Sequence, residues 1–179
     1  MKINCYPLKM DYEEAMELAQ KKGSIFGKMM LMNKQVSEVK LLYVEYKIIN
    51  YEMIHEPNII SKIMKKKTDM KKQNVRVLGN GTTGGASLIT SMPEIETIDV
   101  KRDMVQHAEY GDDRMINRGR SLIRKVVRRR SGGFPSINVV NTRKVYRPFY
   151  IAYYGDLKEN TKVQYIPIPA DGCKNQRSM

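Results

Sequence analysis

Residues 112–130 read DDRMINRGRSLIRKVVRRR, and the period of this stretch sets the reading of the whole chain. Met115, Ile116, Gly119, Leu122, Ile123, Val126 and Val127 recur at i, i+3, i+4 and i+7, which gathers them on one side of an α-helix. At about 100° per residue, Arg114, Arg118, Arg120, Arg124, Lys125, Arg128 and Arg129 fall on the other side. Asp112 and Asp113 stand where a helix N-terminus attracts negative charge, and Arg128 to Arg130 where the C-terminus attracts positive charge. Gly132, Gly133 and Pro135 then stop the helix. The spacing predicts an amphipathic helix from Arg114 to Arg130 with a core face and a basic face.

A Tyr-rich strand from Val145 to Tyr154 is expected next, then a shorter strand from Val163 to Ile168 and an Asp171-Gly172 turn. The first half has a similar outline. Asp11 and Glu14 are spaced as a capping box ahead of Ala15, Leu18 and Ala19, and Gly23 is expected to end or interrupt that helix. Ser24 to Met32 reads as a second helical segment or a continuation. Leu41 to Met53 reads as a strand with Leu42, Val44, Tyr46 and Ile48 on one face. After Pro57, Ile59, Ile60, Ile63 and Met64 have helical spacing beside Lys62, Lys65, Lys66 and Lys67, so a short basic helix or a hairpin arm is expected there. Val75 to Leu78 reads as a short strand running into a glycine-rich turn.

Tyr43, Tyr46, Ile48 and Tyr51 align at constant spacing with Tyr146, Phe149, Ile151 and Tyr154. The expected class is therefore α+β, an antiparallel or mixed sheet with helices on one face, in a single domain over 1–179. Two pseudo-repeated α-β-β units, 11–92 and 112–172, are an option within it.

The composition, 41% hydrophobic and 28% charged over 179 residues, excludes a disordered chain and suffices for a core. The net charge of +13 is unevenly spread: 0 over residues 1–60, +6 over 61–77, −5 over 78–113, +11 over 114–147 and +1 over 148–179. Two basic blocks thus flank an acidic one, which focuses field at particular surfaces. Cys5 and Cys173 lack metal-type spacing and read as free thiols of a reducing cytosol, with a terminus-to-terminus bridge as the alternative. Met1 to Glu14 holds no continuous apolar run, and no stretch is long enough to span a bilayer, so a soluble cytoplasmic protein is expected.

From Arg114 to Arg147 there are eleven Lys or Arg and no Asp or Glu. Such a face points to a polyanion, with nucleic acid favoured because arginine donors suit phosphate and closely spaced cations gain from counterion release. The expected contacts are Arg114, Arg118, Arg120, Arg124, Lys125, Arg128 and Arg129, joined by Arg147, Tyr150 and Tyr154 on the following strand and by Lys65, Lys66 and Lys67. Tyr146, Tyr150 and Tyr154 alternate to one side of that strand, where an exposed aromatic face could stack on unpaired bases. Pro148 argues that the strand is an edge or carries a bulge. Two rivals stand beside this reading. One is internal neutralisation by the acidic 94–113 segment; the other is a protein-interaction module, or a subunit of a larger assembly, docking on an acidic partner. A membrane surface fits less well, because the apolar stripe is used in the core.

Catalytic material is sparse. Gly79, Gly81 and Gly84 match G-x-G-x-x-G after a strand, but Pro93 cuts short any helix that follows, so a hairpin or loop is expected, with a phosphate-cradling nest of backbone amides as the alternative. His107, Glu109, Asp112 and Asp113 read as acidic capping rather than metal ligands. Asp99-Val100-Lys101 after Glu94 and Glu96 carries a weak metal-dependent nuclease reading. His55, beside Glu56 and Pro57, reads as a turn residue. No catalytic residue, metal or cofactor is assigned, and no motif is specific enough to name a family.

Overall fold

A computed structural model describes residues 1–26, 35–55, 71–92, 94–131, 135–155 and 163–173. In chain order the elements are β1 Lys2–Cys5, α1 Tyr12–Phe26, β2 Val36–His55, β3 Lys71–Asn80, β4 Ala86–Ile89, β5 Glu96–Asp99, β6 Val105–Gln106, α2 Asp112–Ser131, β7 Ser136–Tyr154 and β8 Gln164–Pro169. The sheet runs in the order β4-β3-β2-β7-β1-β5, with β6 on β2 and β8 on β7. It is mixed: β1 meets β7 and β6 meets β2 in parallel, whereas β3, β4, β5 and β8 pair antiparallel. With two described helices this is an α+β fold.

The chain forms two compact units, and β2 and β7 each give one half to each. The first holds the described residues of 1–45, 94–106 and 145–173; the second holds those of 46–92 and 107–144.

In the first unit the capping box closes as its spacing requires. The Glu14 amide donates to Asp11 Oδ1 at 2.8 Å and the Asp11 amide to Glu14 Oε2 at 3.4 Å, which satisfies two amides that the helix leaves free. Ala15 and Ala19 are small enough to lie flat on the strands, buried against Val39, Tyr150, Ala152, Tyr154, Ile168 and Ala170. The Tyr154 hydroxyl donates to the Ala19 carbonyl at 2.7 Å. Gly23 does not end the helix: α1 continues to Phe26, the continuation that was one reading of Ser24 to Met32, because a helical glycine costs only about 1 kcal/mol, and residues 27–32 of that reading lie outside the described residues.

Pro148 departs from one of its two expected roles, the edge. It lies inside a strand with neighbours on both sides, not on an edge. Tyr146 pairs with Cys5 of β1, whereas Phe149 to Tyr154 pair with β8, so Pro148 sits where one neighbour hands over to the other. A residue without an N–H is tolerated at that gap, and its carbonyl accepts from the Ala170 amide at 3.0 Å.

In the second unit β2 and β3 pair continuously from Tyr46–Asn80 to His55–Lys71, and β4 extends the hairpin. Both strands are longer than the apolar runs suggested, because ladder hydrogen bonds carry the pairing past the last buried residue. The odd-numbered face of β2, with Ile49, Tyr51 and Met53, packs under α2 together with Val77 and Ala86; Met115, Ile123 and Val127 descend from the helix, and Ile137 joins from β7. Each large apolar side chain so buried contributes on the order of 1.5–3 kcal/mol. The expected apolar face, Leu42, Val44, Tyr46 and Ile48, is the other one. Val44, Tyr46 and Ile48 are buried as well, so mid-strand both faces are covered.

Candidate nucleic-acid interface

The helix that carries the basic face is α2, two residues longer at its start than the spacing predicted and one longer at its end. Its orientation follows from its stripe: Met115, Gly119, Ile123 and Val127 are buried, while Arg114, Arg118, Arg124, Lys125 and Arg128 are exposed and Arg120 is half-buried. Among the described residues, no carboxylate forms an ion pair with any of these six cations. Asp112, the acid at the start of the helix, is engaged by Lys47 of β2. Of the acidic 94–113 stretch, the residues up to Gln106 belong to the first unit.

Two of the cations are held in place. The Arg114 guanidinium lies over the Tyr110 ring, 3.8 Å from its centroid, and stacking of this kind does not consume the in-plane N–H donors. Gly84 makes room for the stack, since a Cβ there would come within 3.0 Å of Arg114 Nε and 3.2 Å of the Tyr110 ring. Its φ of 66° also requires glycine. Arg120 leans inward: its Nε is buried without a partner, and Nη1 reaches Asn117 Oδ1 at 3.5 Å. Beneath it, burial pushes the Tyr51 hydroxyl up to about 12, with the Arg120 charge opposing.

The other expected contacts fall elsewhere. Arg147 is buried and forms a two-pronged pair with Asp171, Nε to Oδ2 at 2.6 Å and Nη2 to Oδ1 at 3.1 Å. Tyr150 and Tyr154 are buried in the packing beneath α1. These three are therefore removed from the interface: the aromatic alternation on β7 is real, but the side bearing Tyr150 and Tyr154 is the one that α1 covers. Tyr153 and Tyr165 stand on exposed or half-exposed positions instead, ring centroids 6.4 Å apart. Lys65, Lys66 and Lys67 lie outside the described residues, and the Arg129 side chain does too.

The glycine-rich stretch is a hairpin turn between β3 and β4. Asn80 Oδ1 accepts from the Thr82 and Thr83 amides at 2.9 and 3.1 Å, and the Asn80 carbonyl accepts from the Gly84 amide at 2.9 Å. The turn thus uses its own N–H groups, as an Asx-capped turn does. Gly81 O in turn accepts from the Glu109 and Tyr110 amides, both at 3.0 Å, which fixes the ring on which Arg114 stacks.

Among the described residues, no three His, Cys, Asp or Glu side chains gather as a metal site requires, and Asp99 is exposed on β5 opposite Lys2. Cys5 and Cys173 are both free thiols. Burial, and then Glu96, raise the Cys5 thiol to about 11, which makes it a poor nucleophile. No described helix is long and apolar enough to cross a membrane. Comparison with protein-family models, with curated proteins and with solved structures gives no match to the chain.

Proposed function

We propose that the protein binds nucleic acid through the outward side of α2, with Arg114, Arg118, Arg124, Lys125 and Arg128 as phosphate ligands, the half-buried Arg120 at their margin, and Arg129 and Lys65 to Lys67 as further cations. The observation that carries this reading is the set of six cations on one helix without a carboxylate partner among the described residues. Like charges at i,i+4 repel by roughly 0.2–0.5 kcal/mol per pair, so such a face is stabilised by an external anion. A nucleic-acid backbone supplies closely spaced phosphates and releases its counterions on binding. Two free thiols are consistent with a reducing compartment, and we read the protein as cytoplasmic.

A further part of this reading is that the chain is a duplicated α-β-β unit, 11–92 and 112–172, with each compact unit combining elements of both segments. Tyr51 and Tyr154 occupy equivalent positions in the two long strands, and each donates its hydroxyl to a carbonyl in a helix, Ile116 in one unit and Ala19 in the other.

The test is a titration of labelled single-stranded and duplex oligonucleotides, followed by fluorescence anisotropy at two salt concentrations, against the parent and Arg124→Glu/Lys125→Glu/Arg128→Glu. All three positions are exposed, so the fold is expected to survive. Affinity is expected to fall steeply with salt and to drop at least tenfold in the variant; equal affinity rejects the site. Material that migrates as a complex in native extract and stays so after nuclease treatment would favour an acidic protein partner instead.

A further inference from the structure

The β3–β4 ladder covers only part of β3. It runs from Gly79–Ala86 to Arg76–Ile89, and the chain bends away at Thr90 and Ser91. Lys72, Gln73, Asn74 and Val75 continue the ladder with β2 through pairs such as Met53–Gln73, but on their other side they meet no strand among the described residues. An edge of this kind presents unpaired amides and carbonyls in the geometry that an added strand needs.

Beside this edge lies a cleft of about 160 Å³, walled by Val75 and Leu88 on the sheet and by Ile123, Val126 and Val127 on α2, with His55 at its polar side. A cavity of roughly 150 Å³ lined by aliphatic residues accepts a group the size of benzene. The cleft is therefore large enough for one bulky apolar side chain. Successive residues of β3 point to opposite faces, so Lys72 and Arg76 lie across the sheet from Val75. Both are exposed; among the described residues Lys72 has only the half-buried Glu52 at 3.5 Å, a weak surface pair, and Arg76 has no carboxylate partner.

We infer that this edge and cleft dock an extended acidic peptide of a partner protein. Its backbone adds a strand alongside Lys72 to Val75, an apolar side chain fills the cleft, and the alternate residues, turned to the opposite face, place carboxylates by Lys72 and Arg76. The edge specifies an extended backbone, the cleft one apolar group on its face, and the two cations the sign of the residues that alternate with it. The surface is separate from the outward face of α2.

The test uses the full chain and a fluorescein-labelled six-residue peptide alternating leucine and glutamate, read by anisotropy. Saturable binding is expected. Two versions of the peptide, each N-methylated at one alternate set of amides, keep every side chain, and one of the two is expected to bind at least tenfold more weakly. Replacing glutamate by lysine is expected to weaken binding to a similar degree. Val126→Trp, which fills the cleft, is expected to lose the peptide while keeping the parent's circular dichroism; if that variant does not fold, Arg76→Glu on the exposed face serves in its place and is expected to weaken binding at least fivefold. No saturation up to millimolar peptide, equal binding by both N-methylated versions, or undiminished binding of the lysine peptide overturns the inference. So does a concentration-dependent dimer that excludes the peptide, because the edge then belongs to a second copy.

Discussion

Gly119 of α2 lies directly over the hydroxyl of Tyr51 on β2, and that hydroxyl donates to the Ile116 carbonyl at 2.8 Å. A Cβ at position 119 would fall within 2.9 Å of Tyr51 Cζ. Alanine raises helix propensity by about 1 kcal/mol, yet overpacking costs ~1–3 kcal/mol and displacing the hydroxyl about 1 kcal/mol more. Gly119→Ala is therefore expected to destabilise the fold by roughly 1–3 kcal/mol in urea denaturation. Combined with Tyr51→Phe, it is expected to cost less than the sum of the two single changes by at least ~0.5 kcal/mol; strict additivity would mean that the residues do not share this contact.

Alkaline stability depends on the same tyrosine and on Cys5. Burial raises both groups, Tyr51 to about 12 from 10.0 and Cys5 to about 11 from 9.0. Their protonated forms are favoured by folding, so the contribution is complete below the unfolded values. It declines as the unfolded chain loses its protons first, over pH 9 to 11 for Cys5 and pH 10 to 12 for Tyr51. The urea midpoint is expected to be flat up to pH 9 and to fall above it, and Tyr51→Phe is expected to flatten the decline beyond pH 10. A midpoint that rises through this range would contradict the burial of both groups.

Arg147 and Asp171 form a buried pair, and Asp171 also accepts from the Cys173 amide at 3.0 Å. Asp171→Ala removes the carboxylate that holds the buried guanidinium by two hydrogen bonds, which is expected to cost about 3–5 kcal/mol. Arg147→Met with Asp171→Leu removes both charges and is expected to cost less than Asp171→Ala alone. Chemical denaturation compares the three proteins. The double variant is also expected to bind oligonucleotides as the parent does.

Phosphate contacts on α2 can be counted from the salt dependence of binding. Each contact adds about 0.9 to the slope of log affinity against log salt on duplex DNA. Arg124→Ala or Arg128→Ala is expected to lower that slope by roughly one, and similarly for every sequence tested. Tyr110→Ala is expected to weaken binding without changing the slope, because it frees the Arg114 guanidinium but keeps its charge.

The period of α2 and the capping box of α1 were legible because both are local: the 3.6-residue repeat and the Asp11–Glu14 spacing are satisfied within one helix. The environment of β7 was not. Alternation sorted its tyrosines into two faces, but which face a helix covers depends on α1, more than a hundred residues away in the chain. Pro148 misled for a related reason: proline reports that no N–H is needed, and a change of neighbouring strand meets that condition as well as an edge does. The Tyr110–Arg114 stack had no sequence signal beyond the short separation of the two residues, since Gly84 and the Gly81 carbonyl that fix it come from the preceding hairpin.

Because β2 lies next to β7 in the sheet, the twenty residues from Val36 to His55 emerge during synthesis long before their neighbour, which begins at Ser136. At about 5–20 residues per second, the ribosome leaves this Tyr- and Ile-rich strand waiting for several seconds with one side open to aggregation. The hairpin to β3 protects the other side first. Survival of the nascent chain is thus a race between translation and self-association, and slowing elongation downstream of β3 is expected to shift newly made protein into the insoluble fraction.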